Sequence, residues 1–211
     1  MIHVLVVDDH PIVRQGLTQL IRDTPDMKLC GEAESFEGLW SVLDDDAISV
    51  DVLLLDIKMP GGDILDALSR LAKRHPEVAT VVVSTYPEDQ FLVRVLRAGA
   101  SGYLEKARPA EDIRDAVRTV ATGRRYITAA GARILADALG RGAGPAHDQL
   151  SDREFQVLRL LASGRSVGEI AEALHLSVKT VSTYRTRMLD KLSLSIDAEA
   201  IRYALERELA E

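Results

Sequence analysis

Cysteine is almost missing from this 211-residue chain, with Cys30 its single example. One thiol excludes an internal disulfide and a thiolate cluster for zinc, so Cys30 reads as a small packing residue. Long apolar runs are missing too. Nothing approaches the roughly 18 consecutive apolar residues that a membrane-spanning helix needs. The N-terminus has no basic region ahead of a long apolar stretch, and Asp8 interrupts the one candidate. A cytosolic protein with no membrane partner is expected. Excess positive charge is also lacking, because 26 Lys and Arg against 33 Asp and Glu leave a formal net charge of −7. The whole molecule is therefore no polyanion binder by total charge, and any nucleic-acid contact must come from a local basic surface. Aromatics are sparse, at 4%, in a composition otherwise ordinary for a soluble globular protein. The length allows one or two domains with a sizeable core.

What is present is organised around Val52–Asp63, VLLLDIKMPGGD. An uninterrupted apolar run bounded by turn residues predicts a strand buried on both faces of a parallel sheet. In open α/β sheets ligand chemistry sits at the carboxyl ends of strands, where Asp56 falls. A second run, Val4–Val7, ends in Asp8 and Asp9. If both strands are central and parallel, three carboxylates share one edge. Like charges so placed need a neutralising cation, and hard ions such as Mg²⁺ take oxygen ligands. The N-terminal half is expected to hold an acidic Mg²⁺ pocket; the plainer alternative is a set of solvated turn aspartates.

The remaining pattern alternates strands and amphipathic helices. Strands are expected at His3–Val7, Met27–Ala33, Val50–Leu55, Ala79–Val83 and Gly102–Leu104, the second at an edge because it is less apolar. Helices are expected at about Pro11–Asp23, Phe36–Leu43, Asp63–Arg74, Glu88–Arg97 and Pro109–Thr122, with Gly99 stopping the fourth. Five such pairs imply right-handed crossovers and an α/β, flavodoxin-like, doubly wound five-stranded parallel sheet over residues 1–122.

With Asp8-Asp9, Asp56, Ser84 and Lys106 each at a strand's carboxyl end, this half closely resembles the receiver domain of bacterial response regulators. The resemblance implies that Asp56 accepts a phosphoryl group from a sensor histidine kinase. It implies that Asp9, Asp56 and the backbone carbonyl of Lys58 ligate Mg²⁺, with Asp8 acting partly through water. Ser84 and Lys106 would contact the phosphoryl oxygens, and Tyr103 resembles the aromatic switch residue, rotating into space that Ser84 vacates. The surface of the fourth and fifth helices would change, where this family usually forms homodimers. Ala107 replaces the proline that many receivers carry after the lysine, so no cis-proline is expected there.

A helical stretch at Thr128–Leu139 follows, and then three glycines and a proline within Gly140–Gln149 read as a flexible linker. Such a stretch spans roughly 17 Å on average as a random coil. The linker is placed at 123–149. After it, Ser151 and Glu154 form a capping box for a helix ending at Gly164. Val167–Leu174, a turn at His175–Ser177 and a helix through Leu192 give a helix-turn-helix. Asp197–Glu208 closes an all-α four-helix domain over 150–211. LSDRE, followed by IAEALHLSVKTVSTYRTRMLDKL, strongly resembles the LuxR-type DNA-binding domain, and together the halves resemble the NarL/FixJ family.

At about 100° per residue, Val181, Arg185, Met188 and Leu192 fall on the core side of the second helix. Lys179, Thr180, Ser182, Thr183, Thr186, Arg187 and Lys191 fall opposite or flank it and are assigned to double-stranded promoter DNA. Arg185, at the edge of the core face, is expected to be structural or peripheral. The expected whole is a phosphorylation-switched transcription regulator with no enzymatic activity beyond self-phosphotransfer and its reversal. Two alternatives stay open, a metal-dependent phosphohydrolase on the same sheet and a regulator that binds DNA constitutively. Lys58 stands where such hydrolases often carry a second aspartate.

Overall fold

The apolar runs become one parallel sheet in the computed structural model, which describes residues 1–60, 62–140, 146–174, 176–207 and 209. The chain divides into two units, Met1–Ile134 and Leu135–Glu211. In the first, β1 (Ile2–Val7), β2 (Met27–Ala33), β3 (Val52–Leu55), β4 (Ala79–Ser84) and β5 (Gly102–Glu105) lie in the order β2-β1-β3-β4-β5. All neighbours pair in parallel. Between them run α1 (Pro11–Arg22), α2 (Phe36–Leu43), α3 (Ile64–Arg74), α4 (Glu88–Ala98) and α5 (Ala110–Ala121). The strand order reverses between β1 and β3, the switch point at which such sheets open a crevice for ligands.

Period-two alternation sorts the strand residues onto two faces. Val4, Val6, Val52, Leu54, Val81, Val83 and Leu104 pack with Leu17 and Ile21 of α1 and with Ile113, Val117 and Val120 of α5. Their neighbours Leu5, Leu53, Leu55, Val82 and Tyr103 are buried on the opposite face. Every residue of β3 is buried, as its unbroken apolar run requires. Each fully buried Leu or Ile contributes about 1.5–3 kcal/mol, so the sheet is a rigid platform for its edge. β2 is an edge strand, as its weaker apolarity predicts. Gly99 ends α4 at φ +118°, where a side chain would be strained.

The first unit extends past the expected boundary at 122. The Tyr126 amide donates to the Ser101 carbonyl at 2.9 Å, and Tyr126 forms a parallel bridge with Gly102. The Thr128 hydroxyl donates to Glu88 Oε2 at 2.6 Å and accepts from the Gly131 amide at 2.9 Å. Glu88 is buried, and a Cβ on Gly131 would lie 3.0 Å from its Oε2 and 2.9 Å from Leu92 Cδ2. Residues expected as linker are thus fastened to β5 and α4, and α6 (Ala129–Gly140) starts from that anchorage. Of the expected flexible stretch, 141–145 lie outside the described residues, as do Gly61, His175 and Glu208. Ala146–Gln149 forms a 3-10 turn whose buried His147 bonds the Tyr203 hydroxyl at 3.0 Å.

The second unit carries α7 (Asp152–Ala162), α8 (Val167–Ala173), α9 (Val178–Leu192) and α10 (Asp197–Leu205). Ser151 with Glu154 and Ser166 with Glu169 form reciprocal capping boxes that start α7 and α8. Among the described residues no helix is long and apolar enough to cross a membrane.

Gly131→Ala is expected to destabilise the chain by about 1–3 kcal/mol, the usual effect of overpacking, and to speed amide exchange in 124–131. Gly16, inside α1 with nothing within 4 Å of an added Cβ, supplies the opposite case. Gly16→Ala should stabilise by about 0.5–1 kcal/mol in urea titrations.

Candidate acidic site and exposed helix

Register brings the acidic residues together. Val7 of β1 stands opposite Leu55 of β3, so the next residues, Asp8 and Asp56, emerge at the same level. The Asp56 amide continues this ladder by donating to the Val7 carbonyl at 2.9 Å. Ser84 stands opposite Glu105, and the Lys106 amide donates to the Ser84 carbonyl at 2.6 Å, so β4 sets where the lysine starts. Its ammonium reaches between the two carboxylates, 2.7 Å from Asp8 Oδ2 and 2.9 Å from Asp56 Oδ2. The three side chains are at most 9% exposed. Burial pushes the Asp56 carboxyl above its ordinary range, and the neighbouring ammonium only partly offsets this.

Asp9 lies half-buried beside them. Three carboxylates against one ammonium leave two negative charges uncompensated when all are ionised. Asp8, Asp9 and Asp56 offer oxygens, and His10 a nitrogen, all within 4.8 Å of one another. A dication of the Mg²⁺ type fits the three carboxylates and that charge. Lys58 follows Asp56 by two residues and is exposed between buried Ile57 and Met59.

His10 carries no role in the sequence reading. Its Nδ1 is 2.6 Å from Asp9 Oδ1, 3.5 Å from Asp8 Oδ1 and 3.9 Å from Asp56 Oδ2. The signal was present in the order DDHP, where a ring donor follows the acidic pair and a proline fixes the next turn.

Ser84 and Tyr103 are both buried. The Ser84 hydroxyl accepts from the Tyr86 amide at 3.1 Å, while the Tyr103 hydroxyl donates to the Tyr86 carbonyl at 2.6 Å. Burial raises the Tyr103 phenol far above its ordinary value, against a lowering contribution from the Ser84 hydroxyl. The ring is buried in this structure, and the resemblance implies its rotation into space that Ser84 vacates. Its hydroxyl has a backbone acceptor there, the Tyr86 carbonyl.

On α9, Ser177 caps the first turn by accepting from the Thr180 amide. Val181, Met188, Leu189 and Leu192 are buried. Lys179, Ser182, Thr183, Thr186 and Arg187 are exposed, and Thr180 is half-buried. The hydroxyls of Ser182, Thr183 and Thr186 donate to the carbonyls four residues back, at 2.9, 3.0 and 3.1 Å. Their remaining lone pairs face outward as acceptors. Arg185 is bound to Asp197 at 2.6 Å, in keeping with a structural role. Lys191, assigned to the DNA side, is instead tied to Glu154 Oε2 at 2.6 Å. Burial acts to raise the Glu154 carboxyl, but bonds from Lys191 and Ser151 outweigh it and hold the group below its ordinary value.

Residues 4–118 match the response regulator receiver domain, and residues 148–204 match the luxR family of bacterial regulatory proteins. The response regulator GacA of Pseudomonas protegens is 39% identical over 210 residues, spanning 97% of this chain and 98% of that one. UvrY of Escherichia coli K12 is 35% identical over 211 residues, spanning 99% and 96%. Among solved structures, RcsB of Salmonella typhimurium superposes with a TM-score of 0.79 at 27% identity, covering 98% of both chains. RcsB bound to a promoter with the phosphomimetic BeF3⁻ gives 0.78 at 28% identity, covering 96% and 97%.

Lys106→Met leaves two buried carboxylates without their counter-charge. It should lower unfolding free energy by about 3 kcal/mol at neutral pH in metal-free buffer, read by urea titration. For Glu154 the sign runs through its depressed pKa: the stabilisation is present above the unfolded carboxylate value and lost as pH falls through the folded one. Lys191→Ala should therefore cost about 1 kcal/mol at neutral pH, with wild-type and variant stabilities converging in acid.

Proposed function

The chain belongs to the response regulators that join a receiver domain to a LuxR-type DNA-binding domain, and from that premise we propose that phosphorylation of Asp56 governs binding of α9 to promoter DNA. The observation that carries this reading is the Lys106 ammonium held between Asp8 and Asp56 at a sheet edge. The receiver is assigned to 1–122 together with the anchored segment through Gly131. The rest of 123–149 is linker, and the DNA-binding domain is 150–211 with the preceding 3-10 turn seated on it.

Asp56 is the nucleophile, and a sensor histidine kinase is the donor. Phosphoryl transfer depends chiefly on positioning and on neutralising charge spread over the equatorial oxygens. Asp8, Asp9, Asp56 and the Lys58 carbonyl are the groups that would hold Mg²⁺, which supplies positive charge to those oxygens. Lys106 already contacts Asp56 and follows the added charge, about −1.5 to −2 at pH 7. Ser84 turns its hydroxyl from the Tyr86 amide toward the new acceptor. The only chemistry is on the chain itself: transfer onto Asp56 and its hydrolytic loss.

Ser84 and Tyr103 both hold the Tyr86 backbone, and Glu88, two residues on, holds Thr128 ahead of α6. A shift of Ser84 therefore reaches the segment leading to the second domain within a few contacts. The phosphomimetic promoter complex of RcsB supports DNA as the partner, and a structure of two RcsB dimers on DNA supports a homodimer. Lys179 and Arg187 serve phosphates, and Thr180, Ser182, Thr183 and Thr186 stand nearer base edges. Lys191 contributes at the margin, its ammonium being shared with Glu154. The working compartment is the cytoplasm, where kinase output and DNA meet. A LuxR-type second unit leaves the phosphohydrolase alternative without an observation in its favour.

Acetyl phosphate with Mg²⁺ should add one phosphoryl group to wild type and none to Asp56→Ala, read by intact-protein mass spectrometry. The treatment should tighten promoter binding only in wild type; equal responses in both proteins would sink the switch. Lys179→Ala and Arg187→Ala should each reduce the slope of log affinity against log salt by about 1. Arg185→Ala, whose charge is engaged by Asp197, should leave that slope unchanged.

A further inference from the structure

We propose that the acidic site doubles as a binding site for a borderline transition-metal dication of the Zn²⁺ class, with His10 as the selecting nitrogen ligand. The inference rests on the acidic residues forming a metal site, as proposed above, and goes beyond it in the ion and the residue named. His10 Nδ1 faces all three carboxylates, at 2.6, 3.5 and 3.9 Å. The ring is directed there by its backbone. His10 is the N-cap residue of α1, at φ −85° and ψ 110°, yet its side chain makes no capping hydrogen bond. Its amide donates to Asp8 Oδ1 at 2.9 Å, and its carbonyl accepts from the Arg14 amide at 3.0 Å. Pro11 restricts the residue before it to extended conformations. The Arg14 guanidinium adds a 2.7 Å bond to the Asp8 carbonyl, closing the turn from outside. The loop is therefore pinned on both sides of a ring that caps nothing and points into the acids.

Donor chemistry decides which ion gains from this. Mg²⁺ and Ca²⁺ take oxygen ligands and derive little from imidazole. Zn²⁺ accepts imidazole nitrogen and carboxylate oxygen together, commonly as four ligands in a tetrahedron. Asp8, Asp9, Asp56 and His10 supply one nitrogen and three carboxylates within 4.8 Å. His10 is 56% exposed, so an arriving ion meets it without unfolding the site. Zn²⁺ and Mg²⁺ compete for the same aspartates. When Asp56 lends its oxygen to a closed four-ligand set, that oxygen is withdrawn from attack on a phosphodonor. The site thereby gains a metal-dependent off state built from its own nucleophile.

The test is isothermal titration of the full chain with Zn²⁺ and, separately, with Mg²⁺, for wild type and His10→Gln. Circular dichroism checks that the variant is folded. Zn²⁺ affinity is expected to fall at least tenfold in His10→Gln, the scale on which even indirect ligand partners act, with Mg²⁺ affinity within about twofold of wild type. Excess Mg²⁺ should weaken the apparent Zn²⁺ affinity of wild type, and the His10 ring resonances should shift on Zn²⁺ addition. Equal Zn²⁺ affinity in the two proteins, or Zn²⁺ binding indifferent to Mg²⁺, overturns the inference while leaving the Mg²⁺ site in place. Absence of Mg²⁺ binding in wild type would instead overturn the metal site on which both readings stand.

Discussion

One ammonium between two buried carboxylates is the constraint on which the first unit turns. Lys106 comes from β5, Asp8 from β1 and Asp56 from β3, so their meeting requires three strands level at their carboxyl ends. Nothing local in any of the three segments supplies that alignment. Parallel pairing around β3 does, and the aliphatic residues on both faces of the sheet hold it. The same arrangement is electrostatically incomplete, because Asp9 adds a third carboxylate and Asp56 is raised by burial even with the lysine at hand. A site so balanced responds strongly to added charge of either sign. That is the property expected of a place where a dication and a phosphoryl group are exchanged.

From this edge, short polar contacts run to the segment that follows α5 within the first unit. Tyr86 is held through its amide by Ser84 and through its carbonyl by Tyr103, which spends its one hydroxyl proton there. Two residues later Glu88 receives the Thr128 hydroxyl, and Arg108 stands 3.5 Å from its other oxygen. Tyr103 already occupies an inward, buried position. The moving part of the proposed switch is therefore the β4–α4 connection more than the aromatic ring.

Much of this was legible before the structure. Strand-end residues are readable because buried runs announce their strands, and an α/β order then forces their ends onto one edge; Asp8, Asp56 and Lys106 met for that reason. The capping box of α7 was written in the three-residue spacing of Ser151 and Glu154. Other features lack such a signature. Tyr126 joins the sheet through a single bridge, which produces no period-two pattern. Lys191 lies on the predicted outer side of α9, but a helical wheel knows only its own helix, and Glu154 lies 37 residues away. His10 was hidden by the aspartates beside it, since ligand counting stopped at oxygen.

The sheet's two outer borders carry a consequence for how copies of this chain can meet. At β2 the pairing with β1 slips by one residue at Cys30, and Lys28 and Glu32 punctuate the strand with charge. At β5 the strand has only four residues, and Tyr126 occupies the outer side of Gly102, whose missing side chain lets the Tyr126 carbonyl approach within 3.1 Å of where a Cβ would stand. Irregular, charged or covered margins discourage strand addition from a neighbour. Self-association by continuing the sheet from one molecule into another is therefore disfavoured on both sides. A pair of these chains is left to join through helical surfaces, whose contacts can form and dissolve without disturbing the platform beneath.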